Sequence, residues 1–213
     1  MKWKRIPLGP LGTNAYLFLQ ENGDCLIIDP GGEADKLGRE LKKMQARPLA
    51  ILLTHAHFDH IGAVEDVRKQ WKIPVYIHKK ERDWLTDPAL NGSQLFMGGA
   101  ITAGPADHLL SGEGNLEIGS FSLKVFETPG HSPGSLSYYS EGAGIVFSGD
   151  ALFQGSIGRT DLPGGNHDTL ISSIHKKLLT LPEDTLVLSG HGAETTIEIE
   201  MDSNPFLNGF QAY

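Results

Sequence analysis

The chain has 213 residues, enough for one sizeable domain, and its 39% hydrophobic and 21% charged residues are typical of a globular protein rather than a disordered one. Its 18 Lys and Arg against 26 Asp and Glu give a formal net charge of -8, which argues against nucleic-acid binding. Cys25 is the single cysteine, so neither an intramolecular disulfide nor a thiolate metal cluster is expected.

The N-terminal residues do not have the pattern of a signal peptide. Lys2, Lys4 and Arg5 are followed by Pro7 and Gly9 instead of the apolar stretch that export requires. No apolar run approaches the roughly 20 residues that span a bilayer. We therefore predict a cytoplasmic protein without a membrane partner.

The first half of the chain predicts strands alternating with helices. Strands are predicted at residues 14–19, 25–28, 49–54 and 74–77, and helices at residues 34–45 and 61–71. Residues 91–114 are rich in Gly, Ser and Ala without clear periodicity, so they are predicted to form a long surface loop.

The second half repeats this layout. Strands are predicted at residues 121–126, 136–139, 145–148 and 186–189, and helices at residues 167–179 and 195–201. No change of composition marks a linker, so residues 1–213 are predicted to form a single domain. The layout suits two sheets packed face to face with helices outside.

A histidine-rich segment begins where the apolar strand at residues 49–54 ends. Its potential ligands are His55, His57, Asp59 and His60. In an extended segment residues two apart point the same way, which would let His55 and His57 share one metal ion. After a turn, Asp59 and His60 could face a second ion. An exposed polar loop is the alternative, but imidazole and carboxylate groups this dense favour zinc or iron binding.

Three further potential ligands have the same local setting. His131, Asp150 and His191 each come directly after, or soon after, a predicted apolar strand and have glycine beside them. A lone Asp after a strand is usually a turn or cap residue. The repetition of the arrangement is what favours a common metal site at one edge of the sheets.

In order and spacing, these residues resemble the ligands of the metallo-β-lactamase superfamily, and the resemblance covers nearly the whole chain. Within the superfamily the chain is similar to the hydroxyacylglutathione hydrolase (glyoxalase II) branch, especially its compact single-domain members. Supporting segments lie at residues 149–153, 158–165 and 190–196. The fold that this resemblance implies is of the α/β (α+β) class, a four-layer αββα sandwich.

The resemblance also implies a ligand assignment for two divalent metal ions, with zinc expected and iron or manganese as alternatives. His55, His57 and His131 would bind the first ion; Asp59, His60 and His191 would bind the second; Asp150 would bridge them.

The predicted reaction is hydrolysis of a thioester of a small thiol by a metal-bridging hydroxide, with Asp59 as ligand and catalytic residue. A thiolate leaves without strong acid assistance, which suits such a site. Arg159 is predicted to bind a substrate carboxylate, and an ion pair with Asp161 that fixes the loop is the slightly favoured alternative. The predicted partner is therefore a small molecule, and the sequence predicts no particular oligomeric state.

Two departures from glyoxalase II leave the identity of the thiol open. The chain ends soon after residues 204–207, without the helical region that grips glutathione, and residues 194–196 replace a tyrosine after the last ligand. The main alternative is a mono-iron oxidoreductase of the persulfide dioxygenase branch, which the chain resembles at residues 158–161. A β-lactamase, a nuclease and a non-catalytic metal-binding module are weaker alternatives.

Overall fold

The computed structural model describes residues 1–208, which divide into two compact units. The first unit comprises residues 1–111 and 117–122, and the second comprises residues 112–116 and the chain from residue 123 onward. Within the described residues, no helix combines the length and the apolar character that crossing a membrane requires.

The first sheet has six strands in the order β1 to β6. They are β1 (Lys2–Leu8), β2 (Thr13–Leu19), β3 (Asp24–Ile28), β4 (Arg47–Leu52), β5 (Val75–His78) and β6 (His108–Leu110). The pairs β1–β2 and β2–β3 are antiparallel, whereas β3, β4, β5 and β6 pair in parallel. The carboxyl ends of β3, β4 and β5 therefore lie at one edge of this sheet.

Four α-helices accompany the first sheet: α1 (Ala34–Lys43), α2 (Phe58–Ile61), α3 (Val64–Trp71) and α4 (Ser93–Phe96). The amphipathic pattern predicted for α1 is confirmed, since Leu37 and Leu41 lie four residues apart on its buried face. These side chains share an apolar core with Val64 and Val67 of α3 and with Ile51 of β4.

The predicted helix at residues 61–71 is divided in the structure. The backbone N–H of Ala63 donates to the Pro30 carbonyl at 2.8 Å, so it does not continue the hydrogen-bond ladder of α2. Glycine at position 62 permits this close approach of the two segments, because any larger residue would place a Cβ in overlap with the Gly31 carbonyl oxygen. The predicted loop at residues 91–114 also contains more structure than expected, since it includes α4 and β6. Strand β6 forms by pairing with β5, which a weak local pattern does not reveal.

The second sheet has the order β14-β13-β10-β9-β8-β7. The strands of this half are β7 (Gly114–Ile118), β8 (Phe121–Glu127), β9 (Leu136–Ser140), β10 (Ile145–Gly149), β13 (Leu186–Ser189) and β14 (Thr195–Thr196), with a separate hairpin of β11 (Leu152–Phe153) and β12 (Ser156–Ile157). Strand β9 is antiparallel to β8 and β10, and β13 is parallel to β10. Strands β8, β10 and β13 therefore end at the same edge.

Among the described residues of the second unit there are two α-helices, α5 (His167–Ser173) and α6 (Ile197–Ser203). Helix α5 begins at Asn166, whose side chain accepts the Thr169 N–H at 2.8 Å, and it continues as a π-helical turn over Ile174–Leu178. This confirms the helix predicted at residues 167–179. Its apolar face, including Leu170 and Ile174, lies in a core with Val146 and Val187 of the sheet.

Candidate metal centre

The four predicted ligands of the first unit lie together just beyond the end of β4. His55 and His60 are fully buried, and their ring centroids are 4.1 Å apart; those of His55 and His57 are 4.7 Å apart. Potential ligand atoms lie within 4.8 Å of one another in the pairs His55–His57, His55–His60 and Asp59–His60. The close grouping predicted from the spacing is therefore present in this unit.

Asp29 connects two of these histidines although it was not predicted as a site residue. Its Oδ1 accepts the Thr54 backbone N–H at 2.8 Å, and its Oδ2 accepts the Thr54 hydroxyl at 2.6 Å. The same Oδ2 lies 3.0 Å from His60 Nδ1. Asp29 reaches this place because it follows β3, the parallel neighbour of β4, and because it adopts a left-handed backbone with φ 47°.

These contacts determine which nitrogen of each ring carries a proton. The Thr54 hydroxyl donates its one proton to Asp29, so it accepts from His55 Nδ1–H, which lies 3.0 Å away. His60 Nδ1–H likewise donates to the Asp29 carboxylate. In the neutral form of both rings the lone pair that a metal ion needs is then on Nε2. A histidine that donates its other N–H to a carboxylate or hydroxyl is the usual state of a metal ligand.

Other buried groups hold the loop that carries these ligands. The Thr13 hydroxyl donates to Asp59 Oδ2 at 2.7 Å, and the buried Glu81 carboxylate accepts the Ala56 N–H at 2.7 Å. Gly31 lies so close that a Cβ there would overlap the carbonyl oxygen of Asp59. The His57 ring lies 5.6 Å from the ring of Trp84.

The three predicted ligands of the second unit also lie together. His131 follows β8, Asp150 follows β10 and His191 follows β13, and these strands end at one edge. Asp150 Oδ2 lies 3.6 Å from His131 Nε2 and 3.6 Å from His191 Nε2. His131 Nδ1 lies 2.8 Å from the Arg159 carbonyl, so it donates to that oxygen, and in the neutral ring the lone pair is then on Nε2.

The spacing of these atoms fits metal ligation better than direct hydrogen bonding. At 3.6 Å, the contacts of Asp150 with His131 and His191, and of Asp59 with His60, are longer than normal hydrogen bonds. Two ligands that each lie about 2.0–2.1 Å from a tetrahedral ion are about 3.3 Å apart. Asp150 is equally distant from two imidazoles, which fits a shared ligand. The donor types and their hydrogen-bonded outer partners therefore suit zinc or iron in both units.

Close backbone packing sets the position of Asp150. A Cβ at Gly158 would overlap the Asp150 carbonyl oxygen and would approach the Cβ of His131 to 3.2 Å. Gly149 has φ 52°, a left-handed conformation that glycine adopts without strain. The glycines noted beside the predicted ligands thus permit this turn.

Arg159 forms the ion pair that was predicted as its structural alternative. Its Nε and Nη2 donate to the two carboxylate oxygens of Asp161 at 2.7 and 2.8 Å, and this pairing lowers the pKa of Asp161 to about 2. Both side chains are exposed. The backbone carbonyl of Arg159 meanwhile orients His131.

The other histidines that the structure describes have ordinary surroundings. His78 is buried and its Nδ1 accepts the Lys80 N–H at 3.2 Å. His108, His167 and His175 are exposed. Sequence reasoning missed Asp29, Thr13 and Glu81. For Asp29 a usable pattern was present, because Asp29-Pro30-Gly31-Gly32 follows an apolar strand as the ligand segments do.

The comparisons of this chain with known proteins point to one superfamily. The family model of the Metallo-beta-lactamase superfamily matches residues 8–191, a range that includes every predicted ligand. "Probable metallo-hydrolase YqgX" of Bacillus subtilis is 61% identical over 210 residues, which cover 99% of each chain. "Hydroxyacylglutathione hydrolase GloC" of Haemophilus influenzae is 37% identical over 95% of this chain and 96% of its own length.

Two solved structures are similar to this chain in both sequence and fold. The BLEG-1 B3 metallo-beta-lactamase is 60% identical, with a TM-score of 0.96 over 98% of this chain and 100% of its own. The protein TTHA1623, solved in a di-iron-bound form, is 42% identical, with a TM-score of 0.84 over 96% of this chain and 100% of its own. The fold class predicted from the sequence is thereby confirmed.

Proposed function

Since the chain belongs to the metallo-β-lactamase superfamily and has its fold, we propose that it is a hydrolase with two divalent metal ions and that it cleaves thioesters of small thiols. The observation that carries the proposal is the state of the histidines. His55, His60 and His131 each have Nδ1 engaged by a protein acceptor, so that Nε2 is the nitrogen presented for ligation.

The proposed ligands come from both units. One ion would be held by His55, His57 and His131, the other by Asp59, His60 and His191, with Asp150 shared between them. Zinc is the metal we expect. Iron is the first alternative, because a 42% identical protein has been solved in a di-iron-bound form, and manganese is the second.

Two such cations, when bound, would supply a water molecule that ionises near pH 7 and would polarise the substrate carbonyl. Asp59 would accept a hydrogen bond from the attacking water and so orient it. The Thr13 hydroxyl restricts the rotation of the Asp59 carboxylate by donating to Oδ2 at 2.7 Å. Asp59 is therefore both a proposed ligand and the proposed catalytic residue.

The thioester assignment follows from the leaving group. A thiol has a reference pKa near 8.5, so it departs as a thiolate without a proton from a general acid. A relative that is 37% identical over nearly its whole length is named a hydroxyacylglutathione hydrolase. Both considerations support an acyl thioester, such as a 2-hydroxyacyl conjugate, as the substrate class.

One observation favours a second candidate, hydrolysis of β-lactams. A structure described as a B3 metallo-beta-lactamase is 60% identical and has a TM-score of 0.96. Opening a β-lactam releases an amine nitrogen that must be protonated, which a thioester does not require. The two activities can therefore be separated by substrate.

The test is a substrate panel with protein of measured metal content. We expect zinc-loaded protein to turn over lactoyl-glutathione and other acyl thioesters faster than the β-lactam nitrocefin. Turnover of nitrocefin alone would replace the proposal by the second candidate. Oxygen uptake on glutathione persulfide by protein with one iron per chain, without thioester hydrolysis, would replace it by the dioxygenase alternative.

Asp59→Ala tests the proposed catalytic residue. We expect kcat to fall by about a hundredfold or more, the usual contribution of a positioned proton acceptor, and metal content to decrease as well. Asp66→Ala is the matched control, since Asp66 is exposed on α3 and close in sequence. Full turnover together with full metal content in Asp59→Ala contradicts the assignment.

A substrate contact by Arg159 would require that its ion pair with Asp161 opens. If Arg159 binds a substrate carboxylate, Arg159→Met should raise KM about tenfold or more for carboxylate-bearing thioesters only, whereas Asp161→Asn should not. Equal effects of both variants on all substrates mean that the pair only fixes its loop.

A further inference from the structure

Four large apolar side chains are exposed within one short segment of the first unit. Leu90, Leu95, Phe96 and Met97 have exposed fractions of 40%, 73%, 48% and 44%. We call these four residues the apolar patch. Single exposed apolar residues are ordinary, but a contiguous group usually marks a binding surface.

The patch is exposed although its segment is firmly anchored. The buried Asn91 side chain donates to the Trp84 carbonyl at 3.0 Å and to the Ile101 carbonyl at 2.8 Å. It also accepts the Ser93 N–H at 2.9 Å. The Ser93 hydroxyl accepts the Ile101 N–H at 3.1 Å. The segment is thus held at both ends by buried polar groups, and the apolar side chains are displayed by a fixed scaffold.

The segment that carries the patch packs against the loop that carries the proposed metal ligands. Phe58 stands between His57 and Asp59 in the sequence, and its N–H donates to the Asn91 carbonyl at 3.0 Å. Its ring is stacked on the Phe96 ring, with 6.0 Å between centroids and 27° between planes. Phe58 itself is buried, with only 6% of its surface exposed, so α4 packs directly against the ligand loop and its exposed side chains lie next to that loop.

We propose that the apolar patch binds the acyl chain of the substrate, so that among acyl thioesters those with apolar chains of several carbons are preferred over those with acetyl-sized groups. This inference rests on the proposed thioesterase function. A thioester whose carbonyl is held at the ligand loop would lay its acyl chain over the exposed side chains of Leu95, Phe96 and Met97.

Size and charge argue for an acyl chain over other occupants. Four side chains form a surface much smaller than the roughly 800 Å² per partner that stable protein complexes bury. The net charge of -8 opposes adsorption to the anionic surface of a membrane. An alkyl chain attached to a reacting thioester needs neither a large interface nor a basic surface.

The test compares thioesters of one thiol, glutathione, with acyl chains lengthened from acetyl to octanoyl. For zinc-loaded wild type we expect kcat/KM to rise about two- to fourfold per added methylene over the first several carbons, because full burial of a methylene corresponds to about fourfold. In Leu95→Ser and Phe96→Ser this slope should flatten, so that the ratio of kcat/KM for the octanoyl thioester to that for the acetyl thioester falls below the wild-type ratio.

Controls of matched exposure are available. Leu109→Ser and Phe206→Ser replace apolar residues that are 47% and 51% exposed outside the patch, and they should keep the wild-type slope. Leu95→Ser is the safer of the two patch variants, because Phe96 contacts Phe58 and its loss could disturb the ligand loop. Binding of octanoate and butanoate to zinc-loaded protein, measured by calorimetry, gives a readout without turnover. Octanoate should bind wild type at least tenfold more tightly than butanoate, and Leu95→Ser should remove most of that difference.

The outcomes distinguish a failure of this inference from a failure of the proposed function. Thioester hydrolysis with no dependence on chain length, or with a slope unchanged in Leu95→Ser, overturns the acyl-chain site and leaves the proposed function standing. Loss of binding to phosphatidylcholine vesicles in Leu95→Ser with an unchanged slope assigns the patch to a lipid surface instead. No hydrolysis of any thioester by zinc-loaded protein overturns the proposed function and the acyl-thioester specificity together.

Discussion

Asp29 is not a proposed ligand, but it orients two histidines that are: His60 directly and His55 through Thr54. Three hydrogen atoms converge on its carboxylate: the Thr54 N–H, the Thr54 hydroxyl and His60 Nδ1–H. Through Thr54 it also determines the protonated nitrogen of His55. A carboxylate can accept all three hydrogen bonds. The amide of asparagine has the same shape, but its NH2 group would face at least one of these donors.

Asp29→Asn should therefore weaken metal binding without removing a ligand. The amide offers one acceptor oxygen for three donors, so His60 or Thr54 loses its orientation. We expect zinc affinity, measured by competition with a chelator, to fall about 10- to 100-fold. Asp24→Asn is the control, because Asp24 is also a buried carboxylate but pairs with Arg47. Equal zinc affinity in Asp29→Asn and wild type contradicts the role.

Cys25 is a buried thiol that should react only after unfolding. It is fully buried in β3, and burial raises its pKa to about 12. Because the folded pKa is raised, the neutral thiol favours the folded state fully below the unfolded pKa of about 9, and this contribution is lost as the pH rises toward 12.

We expect a thiol reagent at pH 8 to label Cys25 only in guanidinium chloride, and stability to decrease between about pH 9 and 12 by more in wild type than in Cys25→Ala. Rapid labelling of native protein would contradict the burial.

Among the structural elements, the turns at the ends of parallel strands decide where the ligands lie. Asp29 and Thr54 meet because β3 and β4 are neighbours, and Asp150 and His191 meet because β10 and β13 are neighbours. Each turn approaches another backbone so closely that a side chain would not fit at Gly31 or Gly158. Because these two positions have no side chain, the ligand-bearing turns can pack directly against the neighbouring backbone.

Gly158→Ala tests this packing. A methyl group there would overlap the Asp150 carbonyl, so we expect a loss of about 1–3 kcal/mol in the free energy of unfolding, typical of overpacking, and weaker zinc binding. Gly99→Ala is the control, because nothing lies within 4 Å of a Cβ at that position. Denaturant titration of both variants measures the difference. If Gly158→Ala is as stable as wild type, the turn accommodates the added methyl group and the expected overpacking is absent.

For the whole molecule, the proposed centre would make metal binding and folding interdependent. Four proposed ligands come from the first unit and three from the second, so a shared pair of ions would hold ligands that are distant in sequence. A ligand that binds only the folded state stabilises it in proportion to the logarithm of its concentration over Kd.

Removal of zinc should lower the melting temperature of the whole chain. At a free zinc concentration about 100 times Kd the stabilisation is about 2.7 kcal/mol, which corresponds to about 5–10 °C for a chain of this size. If residues 1–213 form a single domain, as predicted, calorimetry should show one transition that moves as a unit. Two separate transitions, or a melting temperature unaffected by a chelator, would contradict these expectations.

The sequence by itself predicted the donor residues that we propose and the apolar strands before them, because periodicity and the spacing within each segment are local properties, and the resemblance of these segments predicted the superfamily. His55 to His60 and the strand at residues 186–189 could be identified from neighbouring residues alone, and the structure has that strand as Leu186–Ser189. Only the tertiary structure revealed Asp29 as the partner of His60, because that contact depends on the pairing of β3 with β4. For the same reason β6 and the apolar patch were missed within the predicted loop: strand pairing and exposure are set by residues far away in the chain.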